Sequence, residues 1–116
     1  EVRARLAMEM FAYRVRHYIG AYFAALEGLD GLAFTGGIGE HSAPIRALIC
    51  RSLGCFGVQL DEAANDVSSR EERSITRAES LVPVWVIPTD EERLIAEETT
   101  NLIERLQREK SAGQAR

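Results

Sequence analysis

The chain has 116 residues, 46% of them apolar and 28% charged, with a formal charge of −4 at pH 7. That length sets one domain or part of one, with enough apolar residues for a real core. The acidic balance leaves no electrostatic footprint for DNA or RNA, and no apolar run approaches the roughly 20 residues that cross a bilayer.

Glu1-Val2-Arg3-Ala4-Arg5 has no signal-peptide pattern and no initiator Met, and it begins inside an amphipathic pattern. A chain cut from a longer polypeptide is expected. Residues 2–26 read as one long helix. Leu6, Met10, Tyr13 and His17 recur at helical steps, and Phe11, Val15, Tyr18, Tyr22 and Leu26 form an adjoining stripe. A stripe this wide predicts burial on more than one side. Gly28-Leu29-Asp30-Gly31 then turns the chain into a strand, Leu32 to Thr35.

Beyond a glycine loop, Ser42 reads as an N-cap with Pro44 in the first turn of a helix to about Leu53, its inner face carrying Ile45, Leu48 and Ile49. Cys50 and Cys55 fit no zinc spacing and make no disulfide framework, so small buried or half-buried thiols in a reducing, cytoplasmic setting are expected. Val58 to Leu60 reads as a short strand, Asp61 as the cap of a helical turn over 62–66, 68–74 as a polar loop, and Ile75 to Ala78 as an edge strand. Val82 to Ile87 is the second strong strand. Thr89-Asp90-Glu91-Glu92 has the form of a capping box opening a last helix, in which Glu104 and Arg108 form a favourable pair. Residues 111–116 should fray.

Helix–strand–helix–strand–helix argues for parallel strands joined by a right-handed crossover. Ligands in such sheets gather beyond the strands' carboxyl ends. Both unusual junctions lie there. Gly36-Gly37-Ile38-Gly39 lets a ligand approach backbone, but it has neither a complete dinucleotide fingerprint nor a P-loop lysine. Asp90, Glu91 and Glu92 suit either a divalent metal and its waters or simply the dipole of a helix start. His41 reads equally well as an exposed helix-start residue, and Trp85 with the aromatics of the first helix as core or interface. No Ser–His–Asp or Cys–His arrangement is supported by the spacing.

Four separated segments, in order, resemble the C-terminal part of acetate kinases: Met10-Phe11-Ala12-Tyr13-Arg14-Val15, Tyr18-Ile19-Gly20-Ala21-Tyr22, Phe34-Thr35-Gly36-Gly37-Ile38-Gly39-Glu40, and Val86-Ile87-Pro88-Thr89. The resemblance runs from the N-terminus to about residue 106. It implies an α/β fold over 1–110: part of an actin-like ATPase (ribonuclease H-like) domain, with parallel strands and flanking helices, in the acetate and sugar kinase, Hsp70 and actin superfamily. It implies reversible phosphoryl transfer between ATP and acetate, giving acetyl phosphate and ADP, with Mg2+. By the same resemblance Gly37, Ile38, Gly39, Glu40 and His41 lie against adenosine, His41 replacing the usual Asn. Glu91 serves magnesium, with Asp90 replacing another Asn.

The acetate pocket and the groups that act on the phosphoryl would lie mostly upstream, so no catalytic residue is nominated here and the 116-residue chain alone should be inactive. Partners implied are acetate, acetyl phosphate and a second copy in a cytoplasmic homodimer, with no nucleic acid and no membrane. The rivals are a propionate or butyrate kinase, whose acyl specificity is set elsewhere, and a stand-alone nucleotide- or protein-binding module. Upstream coding sequence separates that last reading from the enzyme.

Overall fold

The computed structural model describes residues 1–114. Helix α1 spans Val2–Ala25 and closes in a Schellman arrangement whose left-handed residue is Glu27 at φ 57° rather than the glycine after it, with the Gly28 N–H donating to the Phe23 carbonyl at 3.0 Å. Strand β1 is Leu32–Phe34, α2 is Gly36–His41, and α3 is Ala43–Cys50. A 3-10 turn at Gly54–Phe56 leads to α4, Glu62–Asp66. Strands β2 (Arg73–Ser74) and β3 (Val84–Val86) follow, and α5 occupies Glu91–Gln114.

The sheet order is β1-β3-β2. β1 and β3 pair in parallel, with Leu32 opposite Val84 and Phe34 opposite Val86, so the two junctions flagged in the sequence leave neighbouring strands side by side. The sheet as a whole is mixed rather than purely parallel, because β2 joins β3 antiparallel. β2 also falls earlier than the Ile75 to Ala78 expected. Ile75 is wholly buried, its N–H donates to Val84 O at 2.9 Å, and the Val84 N–H goes to the Thr76 hydroxyl at 3.3 Å instead of a backbone carbonyl. The strand expected at Val58 to Leu60 reduces to a single Leu60–Thr76 bridge.

The core gathers Ala12 and Ile19 of α1, Ile49, Cys50 and Leu53 at and beyond α3, and Phe34, Val58, Ile75, Val82, Val84 and Val86. Val84 and Val86 alternate inward while Trp85, 38% exposed, points to the other face. Each buried valine contributes about 1.5–3 kcal/mol relative to exposure. α1 is buried on one side only, against the expectation from its stripe: Ala12 and Ile19 are its buried residues, Val15 packs beside them, and Phe23 stacks on Phe56 at 4.1 Å between ring centroids. Leu6, Met10, Phe11, Tyr13, Tyr18 and Tyr22 remain exposed, since no described element reaches that side.

A backbone knot closes the excursion between α3 and β3. Gly57 sits at φ 92°, where an added Cβ would lie 2.8 Å from the Leu81 side chain. Its carbonyl accepts from Leu81 N, Val82 N and the Ser80 hydroxyl at 2.9, 3.3 and 3.2 Å. The Asp61 cap is present, its carboxylate accepting from Ala64 N at 3.0 Å. α5 continues through Ser111 to Gln114 where fraying was expected; residues 115–116 of that tail lie outside the described residues. The expected Glu104–Arg108 pair forms at 3.6 Å.

Candidate functional site

The glycine run is not an open loop but a short helix, α2, and its three glycines have three different reasons. Gly36 takes φ 71°, a left-handed conformation suited to glycine. At Gly39 a Cβ would meet the Phe34 carbonyl carbon at 3.4 Å, so this glycine lets α2 lie tightly on the end of β1. Gly36 and Gly37 both have nothing within 4 Å of a Cβ built there, and of the two only Gly37 is exposed. Ligand access therefore falls to Gly37 and its neighbour Ile38, which is also exposed.

Beneath α2 lies a residue that sequence reasoning missed. Arg46 is 1% exposed, and its Nη1 donates to the carbonyls of Gly39 and Glu40 at 2.9 and 2.8 Å. Its Nε and Nη2 donate to the Asn65 side-chain and backbone oxygens, both at 2.8 Å, and Asn65 Nδ2 donates to Ala43 O at 3.0 Å. Desolvation, followed by the charge of Arg73, pulls the guanidinium below its ordinary pKa. Carbonyls at the negative end of α2 hold the cation in place. The sequence signal was a charge on the inner stripe, since Arg46, Ile49, Cys50 and Leu53 share the three- and four-residue spacing of buried positions.

The acidic helix start also differs from expectation. Thr89 does not cap α5. Its N–H and its hydroxyl both donate to Glu40 Oε1 at 3.0 Å, and that same oxygen accepts from Gly36 N at 2.8 Å. The Thr89 amide is the leading influence holding the Glu40 carboxyl below its ordinary pKa. Desolvation opposes it, while the Thr89 hydroxyl, the Gly36 amide and the charge of His41 add to it. Asp90 takes φ 40°, and its carbonyl receives Arg93 N and Leu94 N, opening α5 at Glu91. Asp and Asn are the side chains that best tolerate such a backbone.

Gly36, Gly37, Glu40 and His41 share one cleft of about 540 Å3 with Pro88, Thr89, Asp90, Glu91 and Glu92. The two junctions thus meet beyond the carboxyl ends of adjacent parallel strands, the ligand position of open α/β sheets. Ile38 and Gly39 lie outside this lining, toward a smaller hollow behind α2. Ser69 and Arg70 also reach the cleft, from a polar loop that carried no local signal. A larger concavity of about 820 Å3 runs along α1 past Met10, Tyr13, His17 and Tyr18, but its wall is one helix face without converging polar groups from other elements. Among the described residues no three His, Cys, Asp or Glu side chains cluster as a metal cage. Magnesium does not need one: it keeps several waters and takes one or two carboxylates along with substrate phosphates. An exposed carboxylate at Glu91, on the cleft, fits that requirement.

The sheet, its flanking helices and this cleft define a piece of an α/β domain, and comparisons with known proteins make the assignment specific. The acetokinase family model matches residues 1–97, and the chain belongs to that family. It is 52% identical over 101 residues to acetate kinase from Dictyoglomus turgidum, covering 87% of this chain and 25% of that relative. The crystal structure of Porphyromonas gingivalis acetate kinase superposes with a TM-score of 0.73 at 42% identity, over 87% of this chain and 25% of that one. A propionate kinase from Francisella tularensis matches with a TM-score of 0.70 at 39% identity, over 84% of this chain and 24% of that one. The chain spans about a quarter of the length of these relatives. Its fold is α/β, part of the actin-like ATPase architecture.

Proposed function

We propose that this chain forms the nucleotide and magnesium wall of an ATP:acetate phosphotransferase that makes acetyl phosphate and ADP reversibly. The single observation that carries the reading is the shared cleft, with Gly37 and His41 on one side and Glu91 on the other. Adenosine lies against Gly37, the backbone of Glu40 and His41, with Ile38 and Gly39 shaping the turn behind them. Glu91 holds the magnesium ion through one carboxylate. When bound, that ion neutralises phosphate charge during transfer. The acetate pocket and the remaining charge-stabilising groups come from sequence beyond this chain, so this segment positions nucleotide and metal rather than performing transfer alone. The exposed aromatic side of α1 supplies part of a homodimer contact, and the whole enzyme works in the cytoplasm.

Gly37 allows a clean test. A Cβ there meets nothing within 4 Å, so Gly37→Leu should leave the circular dichroism spectrum unchanged and, because leucine favours helix over glycine, should not lower the urea midpoint. It should weaken ADP binding, measured by calorimetry on the complete enzyme, by about tenfold or more. Unchanged ADP affinity in that variant would refute the assignment.

A second reading has its own support, the similarity to a propionate kinase. It differs only in the acid that is phosphorylated. Comparing kcat/KM for acetate and propionate in the complete enzyme decides between them.

A further inference from the structure

Glu40 directs one carboxylate oxygen at three donors from two elements: Gly36 N of α2, and the N–H and hydroxyl of Thr89 before α5. From below, its carbonyl is gripped by the buried Arg46, which is locked in turn by Asn65. A continuous set of hydrogen bonds therefore runs from the core through Glu40 to Thr89, two residues before Glu91. Among the described residues nothing comparable holds α5. Every residue from Glu91 to Gly113 is exposed, and its side-chain ion pairs are internal to the helix. The Thr89 tether is the side-chain hold nearest Glu91.

Resting on the reading above, we propose that Glu40 is a positioning residue that couples the two halves of the cleft: occupation of the Gly37 turn strengthens divalent-metal binding at Glu91 through the hold of Glu40 on Thr89. α2 is six residues long and is pinned by Arg46 at its last carbonyls, so it responds to a ligand as one rigid piece. Glu40 rides on that piece. A ligand that steadies α2 steadies Thr89 and narrows the positions Glu91 samples, which lowers the ordering cost of taking up a cation. By reciprocity the cation strengthens nucleoside binding by the same factor.

The test titrates Mn2+ into the complete enzyme, read by electron paramagnetic resonance, with and without saturating adenosine. Adenosine carries no phosphate and does not chelate Mn2+, so any coupling passes through the protein. In the wild type, adenosine should tighten Mn2+ binding by about fivefold or more. Glu40→Ala should reduce that factor to within about twofold of unity. Thr89→Val removes one of the three bonds without touching the core and should at least halve the factor, whereas Thr89→Ser keeps the hydroxyl and should restore it. Coupling that survives in both Glu40→Ala and Thr89→Val overturns the inference. Binding of both probes by the wild type with no mutual effect overturns it too, and leaves the functional assignment standing. Failure of the wild type to bind either probe sinks both.

Discussion

Five positions separate Cys50 from Cys55, and their surroundings are opposite. Cys50 is buried among Ile49, Leu53 and the sheet, whereas Cys55, against expectation, is exposed. Burial pushes the Cys50 thiol up to about 12; the charge of Arg46 pulls it down and that of Glu62 pushes it further up. Since the thiolate is the reactive form, iodoacetamide at pH 8 should alkylate Cys55 alone, with Cys50 modified only in urea, as read by peptide mass spectrometry. The raised value also has a stability consequence. Above the ordinary thiol pKa the unfolded chain binds fewer protons than the folded one, so this contribution to stability falls as pH rises from about 9.

At the scale of elements, α2 shows where local reading stops. Glycine is a weak helix former, so Gly36-Gly37-Ile38-Gly39 reads as a loop in isolation. The helix is carried instead by the Glu40 carboxylate at its first turn and by Arg46 at its last carbonyls. Replacing Arg46 with Met should strip donors from Gly39, Glu40 and Asn65 and lower stability by about 3 kcal/mol in urea denaturation. Asn65→Ala should cost less, because the Gly39 and Glu40 contacts survive. The strands β1 and β3, their parallel pairing and the meeting of the two junctions were legible, since short apolar runs ending in glycine or acid are local signals. The identity of the family was legible for the same reason, in motifs that lie on those junctions. The Thr89 capping box was misread because its hydroxyl has a competing acceptor 49 residues away. The burial of Arg46 showed in the helical stripe, but its partner Asn65, 19 residues away, and the arrival of Ser69 and Arg70 at the cleft leave no trace in nearby sequence.

The whole molecule is extended. Its radius of gyration is 20.3 Å, where a compact chain of this length would have about 13 Å. Two 24-residue helices account for much of this, α1 with a free apolar side and α5 without described burial. Stability should be distributed accordingly. In native-state hydrogen exchange, α5 amides should exchange at least about a hundredfold faster than those of Val84 and Val86. Equal protection across both would mean that α5 has found a surface to lie against, such as a second copy of the chain.

The knot at Gly57 separates two properties that are usually tied together. Because the carbonyl of one glycine clamps Leu81 and Val82 at the neck of the excursion, the stretch from Val67 to Glu72 hangs from a closed ring rather than from free ends. Residues added near Arg70 would extend the cleft's rim while the strands below keep their alignment, at a loop-length cost of only about 0.6 kcal/mol per doubling. Evolution, or an engineer, can therefore reshape the mouth of this cleft by splicing at its lip, with the floor left undisturbed.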